Sequence, residues 1–373
     1  MIIKRLSLLL LAVFFNLSAS FAQQKTDKAE VREGPEAPMS KTNTLEEVIG
    51  HDANGYYVTR YARKKRLLEH INTDLKTDKS IEIPLKMEYN GMKRNYDEII
   101  MAGKNLYMFS YTSDRKTKMN YFFVQKISRE LEIDPNPTVL FENDFDSDIG
   151  GRYGVPFTVS DDQTRILFYR GKGSEEIKNK QMIFTVYDEN MKKLWEREVE
   201  IPYAADLFLM DNIRIDNDGN IYLTGKEYQE REERRLSRRE GKPSYKYHMV
   251  SFRDQAKKTK TYDFELDQKF ITDIRIGIAA NGDLVAAGLY SDKGSYSVKG
   301  AFYMLVDGET RQVKKQKSTE FELDFITQNM SDREKKKRRR DFACGTILYR
   351  SRYYNHHEFQ RRNKYAHNVS LLL

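Results

Sequence analysis

The chain has little of several residues that often carry structure or chemistry. It contains one cysteine, Cys344, one tryptophan and eight prolines in 373 residues. A single cysteine excludes an intramolecular disulfide, and lipid attachment behind the first apolar segment is excluded because no cysteine follows it. No later apolar run reaches the roughly 20 residues of a membrane-spanning helix. The sequence also lacks the spacings of a zinc-protease helix, a serine-hydrolase elbow and a phosphate-binding glycine loop.

The N-terminal segment has the three parts of a secretory signal. Lys4 and Arg5 are followed by a mostly apolar stretch, 6–17, and then by small residues that end at Ala22. We therefore predict cleavage between Ala22 and Gln23, and export to the periplasm or the cell exterior of a protein that is not a lipoprotein. An uncleaved N-terminal anchor is the alternative, but the apolar stretch is shorter than a membrane span.

Positive charge is unevenly distributed along the chain. The formal net charge is +8, but lysines and arginines are concentrated in the signal segment and in residues 333–373. The rest carries many charges of both signs, which is typical of a solvated surface and not of a nucleic-acid interface. We predict no nucleic-acid partner and no transmembrane span in the mature chain, and the sequence leaves the oligomeric state open.

A four-strand pattern recurs after a polar leader. Residues 23–44 lack apolar periodicity and are predicted to be disordered. From residue 45 onward, units of four short strands follow one another, and their second strands start near residues 55, 105, 165, 220 and 283. Turn-forming residues such as Asn54-Gly55 and Asp218-Gly219 precede these second strands, as tight hairpins require.

This repeat predicts an all-β fold, a β-propeller over residues 45–325 with about five four-stranded blades visible. Units of about 50 to 60 residues match the size of a propeller blade, and a twisted sheet buries both faces when similar sheets flank it. The apolar second and third strands and the alternating, charged fourth strands agree with this arrangement. A pair of β-sandwiches is the alternative, because their turns have a similar spacing.

Two turns resemble those of known propeller families. The segment 159–168 (VSDDQTRILF) is similar to the Ser-Asp turn of TolB-like propellers, and 215–223 (IDNDGNIYL) resembles a turn of NHL-like six-bladed propellers. The resemblance covers about residues 45–325 and extends to uncharacterised exported proteins of Gram-negative bacteria. It implies a fold that binding modules, scaffolds and enzymes share, so it selects no single function.

Residues 326–373 form a basic C-terminal segment. Within it, 345–349 resembles a second strand and 364–373 resembles a third strand, so the segment would supply part of a sixth blade. The expected leading strand is cut short, and the composition, rich in arginine and histidine, differs from that of the blades. We therefore expect a degenerate last blade, truncated or frame-shifted relative to its relatives.

One acidic cluster is a candidate metal site. Glu142, Asp144, Asp146 and Asp148 precede two glycines and offer the oxygen ligands that Ca²⁺ prefers, although the spacing of an EF-hand loop is not met. The sequence therefore gives Asp144, Asp146 and Asp148 as a calcium candidate, and a solvated acidic loop is the alternative.

Three other polar segments can be explained equally well with or without a bound ligand. Asp216, Asp218 and Asn220 are typical turn formers. The insertion 229–242 has Glu and Arg at helical spacing, which predicts a short exposed helix or a disordered loop, with docking of an acidic partner as the functional alternative. The run 333–340 is basic, which suits a solvated segment or a contact with anionic lipid.

The motifs leave the catalytic residues unknown and favour a non-enzymatic function. We predict an exported binding or scaffold module of the cell envelope, whose loops bind an envelope protein or a glycan. The alternative is a carbohydrate-active hydrolase or lyase with acids from different blades around the central channel, since such residues lie far apart in a sequence. A third hypothesis is a component of an envelope assembly that docks through the basic end. Apart from the calcium candidate, no cofactor is predicted.

Overall fold

Strands account for almost all regular structure in this chain. In the computed structural model, the described residues are 24–25, 30–31, 34, 42–144, 155–171, 179–240, 242–266, 269–279, 281–291, 298–328 and 331–336. They contain five antiparallel sheets of four or five strands, which are arranged as the blades of a β-propeller. The predicted all-β propeller is therefore confirmed, and the pair of β-sandwiches is not the fold.

The first two blades follow a short N-terminal strand pair. This pair, β1 (Gln24–Lys25) and β2 (Glu30–Val31), lies within the segment that was predicted to be a disordered leader. Blade 1 contains β3 (Asn43–Asp52), β4 (Gly55–Ala62), β5 (Lys65–Asn72) and β6 (Thr77–Glu82). Blade 2 contains β7 (Lys86–Tyr89), β8 (Met92–Ala102), β9 (Asn105–Asp114), β10 (Met119–Ile127) and β11 (Thr138–Asp144). Blade 2 thus has one strand more than the predicted four, because β7 pairs with the start of β8.

The remaining blades have four strands each. Blade 3 contains β12 (Phe157–Val159), β13 (Arg165–Gly171), β14 (Asn179–Asp188) and β15 (Lys193–Ala204). Blade 4 contains β16 (Phe208–Ile215), β17 (Ile221–Tyr228), β18 (Tyr245–Arg253) and β19 (Lys258–Asp263). Blade 5 contains β20 (Phe270–Ile278), β21 (Leu284–Ser291), β22 (Gly300–Val306) and β23 (Val313–Glu320).

Short helical segments also occur in the described residues, the last of them at 332–336. The helix α1 (Arg231–Arg239) lies between β17 and β18, and α2 (Leu323–Thr327) follows β23. The expected short helix in the charged insertion is therefore present, and its Leu236 is 56% exposed. Among the residues just enumerated, no helix has the length and apolar character needed to cross a membrane.

Each blade has a left-handed residue at the turn between its first and second strands. Gly219 has φ of +86° and Gly282 has φ of +80°, while the non-glycine Gln163 adopts +61° at the same place in blade 3. Tight turns between right-twisted strands require such angles. In blade 4, Asp216 also accepts the backbone N–H of Asn220 at 2.7 Å. The Asn, Asp and Gly signals therefore predicted these turns correctly.

Apolar clusters fill the space between successive blades. Phe109 of blade 2 and Phe168 of blade 3 are fully buried, with ring centroids 5.5 Å apart. Phe184 of blade 3 and Phe252 of blade 4 form a similar pair at 5.2 Å. Burial of each such side chain contributes about 1.5–3 kcal/mol relative to leaving it exposed. These contacts hold neighbouring blades face to face.

Blades 1 and 5 form the two ends of the series. The buried clusters of the described residues join blade 1 to 2, 2 to 3, 3 to 4 and 4 to 5, and none of these clusters contains residues of both blade 1 and blade 5. Leu45 and Tyr56 of blade 1 are 40% and 44% exposed, and Tyr303 of blade 5 is 36% exposed. The two end blades therefore keep apolar side chains at the surface.

Candidate functional site

The first strands of the blades lie nearest to the axis of the propeller. The fourth strands β6, β19 and β23 are mostly exposed and polar, which places them at the periphery. In a radial arrangement of sheets the opposite edge faces the central channel. We therefore call β3, β8, β12, β16 and β20 the inner strands, and these strands position the candidate site.

Four inner strands are interrupted by a β-bulge. The register of pairing shifts once in β8, β16 and β20, where Asp97, Asp211 and Thr272 are left out of the pairing. It shifts twice in β3, where Glu46 and Ile49 are left out. Glu46, Asp97, Asp211 and Thr272 are the polar residues of this set, and three of these four are acidic. A bulge turns the side chain of the extra residue out of the regular alternation, and such bulges are common beside functional sites. We call these four positions the inner bulges.

The bulges of blades 1, 2 and 4 lie at one level of the propeller. The residue after each bulge pairs with Thr59 in blade 1, with Phe109 in blade 2 and with Thr224 in blade 4. These three residues occupy equivalent positions in their second strands. The repeat therefore places three carboxylates, from three blades, at the same height beside the axis.

An arginine fork binds the carboxylate at the first inner bulge. Arg66 donates from Nε to Glu46 Oε2 at 2.7 Å and from Nη2 to Oε1 at 3.0 Å. The same guanidinium lies over the ring of Tyr96, 5.5 Å from its centroid, and so connects blade 1 to blade 2. Two parallel charge-assisted hydrogen bonds fix both the distance and the plane of the pair.

A second arginine connects the inner bulges of blades 4 and 5. Arg275 Nη1 lies 3.4 Å from Asp211 Oδ2 and 3.3 Å from Asp273 Oδ1. Asp273 follows the bulged Thr272, whose carbonyl accepts a hydrogen bond from the hydroxyl of Tyr247 at 3.2 Å. The boundary between these blades therefore repeats the pattern of arginine, acid and tyrosine found between blades 1 and 2.

Both tyrosines at these boundaries are held in the neutral form. Burial raises the pKa of Tyr96, and the carboxylates of Glu98, Asp97 and Glu47 add to this effect, while Arg66 opposes it. Burial likewise raises the pKa of Tyr247, with Tyr245, Asp211 and Asp273 adding to the effect and Arg275 opposing it. A phenol in such surroundings donates hydrogen bonds and does not act as a base at neutral pH.

The inner bulges are better suited to recognition than to proton transfer. Both carboxylate oxygens of Glu46 already accept hydrogen bonds from one arginine. A glycosidase needs a carboxyl group that can give its proton to the leaving group and a second one placed across the scissile bond. Carboxylates and guanidinium groups side by side instead offer acceptors and donors, which bind hydroxyl, amide or charged groups.

Histidines of the third strands form a repeated contact that sequence reasoning missed. His70 Nδ1 lies 2.6 Å from Asp78 Oδ1, and its ring lies 4.8 Å from that of Tyr57. His248 Nδ1 lies 2.8 Å from Asp263 Oδ1, and its ring lies 4.7 Å from that of Tyr203. The bond from His70 lowers the pKa of Asp78. Both histidines are buried, so these contacts stabilise the outer half of blades 1 and 4.

A lysine joins two aspartates at the turn end of blade 5. Lys314 Nζ lies 2.8 Å from Asp283 Oδ1 and 2.9 Å from Asp307 Oδ2. The hydrogen bond from Lys314 lowers the pKa of Asp283, and the same lysine and two backbone N–H groups lower that of Asp307. Together the two acids raise the pKa of Lys314. Asp283 is 31 positions from Lys314 in the sequence, and no local motif marks the cluster.

Arg94 of β8 is a buried cation without a paired carboxylate. It is 3% exposed, and in the described part of the chain its Nε and Nη1 have no hydrogen-bond partner. Its Nη2 lies 3.4 Å from Met87 Sδ, and the guanidinium lies 5.2 Å from the ring centroid of Phe123. A cation–π contact contributes about 0.5–2 kcal/mol, whereas removal of an ion from water costs several kcal/mol. The surrounding side chains thus compensate only part of the cost.

The calcium candidate lies mostly outside the described residues. Asp144 ends β11 and pairs with Met119, and Glu142 is exposed, whereas Asp146 and Asp148 are not among the described residues. Within the described ranges, no group of three or more His, Cys, Asp and Glu side chains has the geometry of a metal site. The calcium site stays a prediction, as does the cleavage site at Ala22, which also lies outside the described residues. The degenerate last blade in 326–373 stays a prediction too, because residues 337–373 are not among the described ones.

Comparison with known proteins finds only remote similarities. No family model and no curated protein matches the chain. Among solved structures, an oligogalacturonate lyase in complex with manganese has a TM-score of 0.40 at 8% identity, covering 74% of this chain and 67% of the lyase. An endo-arabinase from Bacteroides thetaiotaomicron has a TM-score of 0.31 at 9% identity, covering 75% and 93%.

A third structure shows the same level of similarity. A Synechocystis apocarotenoid oxygenase has a TM-score of 0.34 at 9% identity, and the match covers 75% of this chain and 57% of the oxygenase. The chain therefore spans little more than half the length of that enzyme. At these TM-scores the matches identify neither a family nor a function. The class of the protein follows from its own sheets, which form a β-propeller with five blades in the described residues.

Proposed function

We propose that this protein is an exported binding or scaffold module of the cell envelope, and that it recognises a glycan or an envelope protein with the polar groups of its inner strands. The observation that carries the proposal is the pairing of Arg275 with Asp211 and Asp273 at a blade boundary beside the axis. Export is inferred from the secretory signal that ends at Ala22. The turns that resemble TolB-like and NHL-like propellers agree with an envelope function.

The arginine at this boundary is available to a ligand. The side chain of Arg275 is 46% exposed, while that of Asp211 is 12% exposed. An arginine held by a buried carboxylate keeps its orientation, so its remaining N–H groups are presented to solvent in a fixed plane. Such preorganised donors reduce the entropy that is lost on binding. The site therefore favours a ligand that is rich in hydroxyl or carboxylate oxygens.

One observation favours the alternative, a carbohydrate-active hydrolase or lyase. The inner bulges bring Glu46, Asp97 and Asp211 from three blades to one level. Hydrolysis of a glycosidic bond requires two carboxyl groups about 5–9.5 Å apart. The two functions differ in product formation, which a single experiment distinguishes.

The test combines binding and product analysis with the purified chain. Peptidoglycan fragments, lipopolysaccharide and neutral and acidic polysaccharides are titrated calorimetrically, and the same mixtures are analysed for new reducing ends or unsaturated sugars. The proposal expects one probe to bind without being cleaved, with at least tenfold weaker binding by Arg275→Gln. The matched control is Lys258→Gln on the peripheral strand β19, where the lysine side chain is 79% exposed. Cleavage of a polysaccharide probe by the wild type, lost in Asp97→Asn, would establish the hydrolase or lyase instead. If Arg275→Gln and Lys258→Gln both bind the probe more weakly than the wild type, the inner strands are rejected as the binding site.

A further inference from the structure

Arg94 differs from the other arginines that lie close to blade 1. Arg60 Nε lies 2.8 Å from Glu69 Oε2, and Arg66 forms the fork with Glu46. Arg94 is buried more deeply than either, and within the described residues its guanidinium has one hydrogen bond, to a thioether, and one cation–π contact, with an aromatic ring. Burial is the one cause that lowers its pKa, and no acidic side chain contributes. Its positive charge therefore has no counter-charge from the described chain.

Another buried arginine shows what a partnered site looks like. Arg311 also has nitrogen atoms without partners, but its Nη2 donates to Ser251 Oγ at 2.9 Å. The carboxylate of Asp307 and the phenol of Tyr222 also favour its charged form. Arg94 has neither an oxygen acceptor for its N–H groups nor a nearby group that favours its charged form. Its surroundings therefore lack an acceptor that carries negative charge.

A second unsatisfied donor shares the face on which Arg94 lies. Ser110 has no exposed surface, and its Oγ has no hydrogen-bond partner within the described residues. Ser110 pairs with Tyr96, and Arg94 precedes Tyr96 by two positions on the same strand. Because alternate residues of a strand share a face, both side chains project toward blade 1. Met87 and Tyr96 of this face pack against the apolar cluster between blades 1 and 2.

We propose that a small monovalent anion of about the size of chloride binds between blades 1 and 2, held by the Arg94 guanidinium and the Ser110 hydroxyl. One negative charge balances the one buried positive charge, and both donors gain the acceptor that they lack. Phe123 is fully buried beside Arg94, which excludes a bulky organic anion from this position. The proposal rests on the burial and the missing acceptors of Arg94 and Ser110 and not on recognition of a ligand by the inner bulges, so it does not depend on the proposed function.

The test measures thermal unfolding of the purified chain in sodium chloride and in sodium gluconate at one ionic strength. Anion binding to the folded state raises the wild-type melting temperature as chloride replaces gluconate, by roughly 5 °C at a hundredfold excess over Kd. Arg94→Met loses this dependence, and it melts above the wild type in gluconate because the uncompensated charge is gone. The proposal is overturned if the wild type does not respond to chloride, or if Arg94→Met responds as the wild type does.

A control variant at Arg60 and a crystallographic search for bound bromide complete the test. Arg60→Met leaves Glu69 without its partner, so it melts below the wild type but keeps the full chloride dependence. Loss of that dependence in Arg60→Met would show a general salt effect and reject the site. If Arg94→Met does not fold, crystals of the wild-type chain grown in bromide decide the question by anomalous scattering. A bromide peak at hydrogen-bond distance from Arg94 supports the site, and its absence there rejects it.

Discussion

Arg275 of blade 5 reaches across the blade boundary to Asp211 of blade 4, with 3.4 Å between Nη1 and Oδ2. The two residues are 64 positions apart, and each lies on an inner strand beside a bulge. One guanidinium therefore ties two blades together. Between blades 1 and 2 the arginine–acid pair lies within blade 1, and Arg66 reaches blade 2 through its contact with the ring of Tyr96.

The fork between Arg66 and Glu46 is expected to stabilise the fold. Arg66→Met removes two charge-assisted hydrogen bonds and leaves a partly buried carboxylate, so the free energy of unfolding falls by about 1–3 kcal/mol in urea titrations. The adjacent Lys65→Met is the control, because its pair with Glu82 has both side chains more than half exposed. Such exposed pairs contribute about 0–1 kcal/mol. Equal losses in the two variants would contradict a structural function of the fork.

The apolar contact between blades 2 and 3 is expected to depend on Phe168. This ring is fully buried and contacts Phe109 and Phe141, with centroids 5.5 and 5.1 Å away. Phe168→Ala leaves a cavity and lowers the free energy of unfolding by about 3–5 kcal/mol. Phe325→Ala, at a position 56% exposed, should change it by less than about 0.5 kcal/mol. A loss below about 1 kcal/mol for Phe168→Ala would show that the blades do not pack as described.

The cluster around Lys314 predicts a dependence of stability on pH. Asp283 and Asp307 have pKa values below the ordinary 3.8, so their contribution is fully present above that value and is lost as the pH falls through the folded pKa. The pKa of Lys314 lies above the ordinary 10.5, so its contribution is present below that value and is lost as the pH rises further. Lys314→Met should therefore flatten both ends of the curve of melting temperature against pH. The exposed neighbour Lys315→Met should reproduce the wild-type curve, and an unchanged curve for Lys314→Met would refute the cluster.

The charged insertion of blade 4 is expected to be dispensable for folding. Gln229 N donates to Ser244 O at 3.1 Å and closes the base of the insertion. Arg234 lies over Tyr228, a partly buried ring at the edge of the apolar cluster between blades 4 and 5. Replacement of residues 231–242 by a short glycine–serine turn should leave the melting temperature within about 2 °C of the wild type, because surface loops tolerate such changes. A drop of more than about 8 °C would instead assign a structural function to α1.

The sequence predicted the blades because their determinants are local. Asn54-Gly55 and Asp218-Gly219 mark the turns, and the runs of β-branched and aromatic residues that follow form β4 and β17. The structure added β7, a strand of only four residues, 86–89, which alternate between polar and apolar side chains but form too short a run to predict a fifth strand. Local patterns therefore sufficed for the architecture, and pairing with a neighbouring strand supplied the rest.

The candidate site was not predictable from the sequence, because it depends on register and on distant residues. Glu46 and Asp97 occur in strands with other polar residues, and the sequence does not show which residue a bulge leaves out of the pairing. Arg275 and Asp211 come together only when blades 4 and 5 pack side by side. The unsatisfied state of Arg94 also depends on burial between two blades. In a chain with 56 aspartates and glutamates, the presence of an acidic residue does not by itself indicate a functional site.

The most direct test of the account is calorimetric titration of peptidoglycan fragments, lipopolysaccharide and polysaccharides into the wild type, Arg275→Gln and Lys258→Gln. The account predicts that one probe binds the wild type and the lysine variant equally, and the arginine variant at least tenfold more weakly, with all three folded at the temperature of the titration. Equal affinity of all three proteins for every probe that binds would contradict recognition by the inner strands.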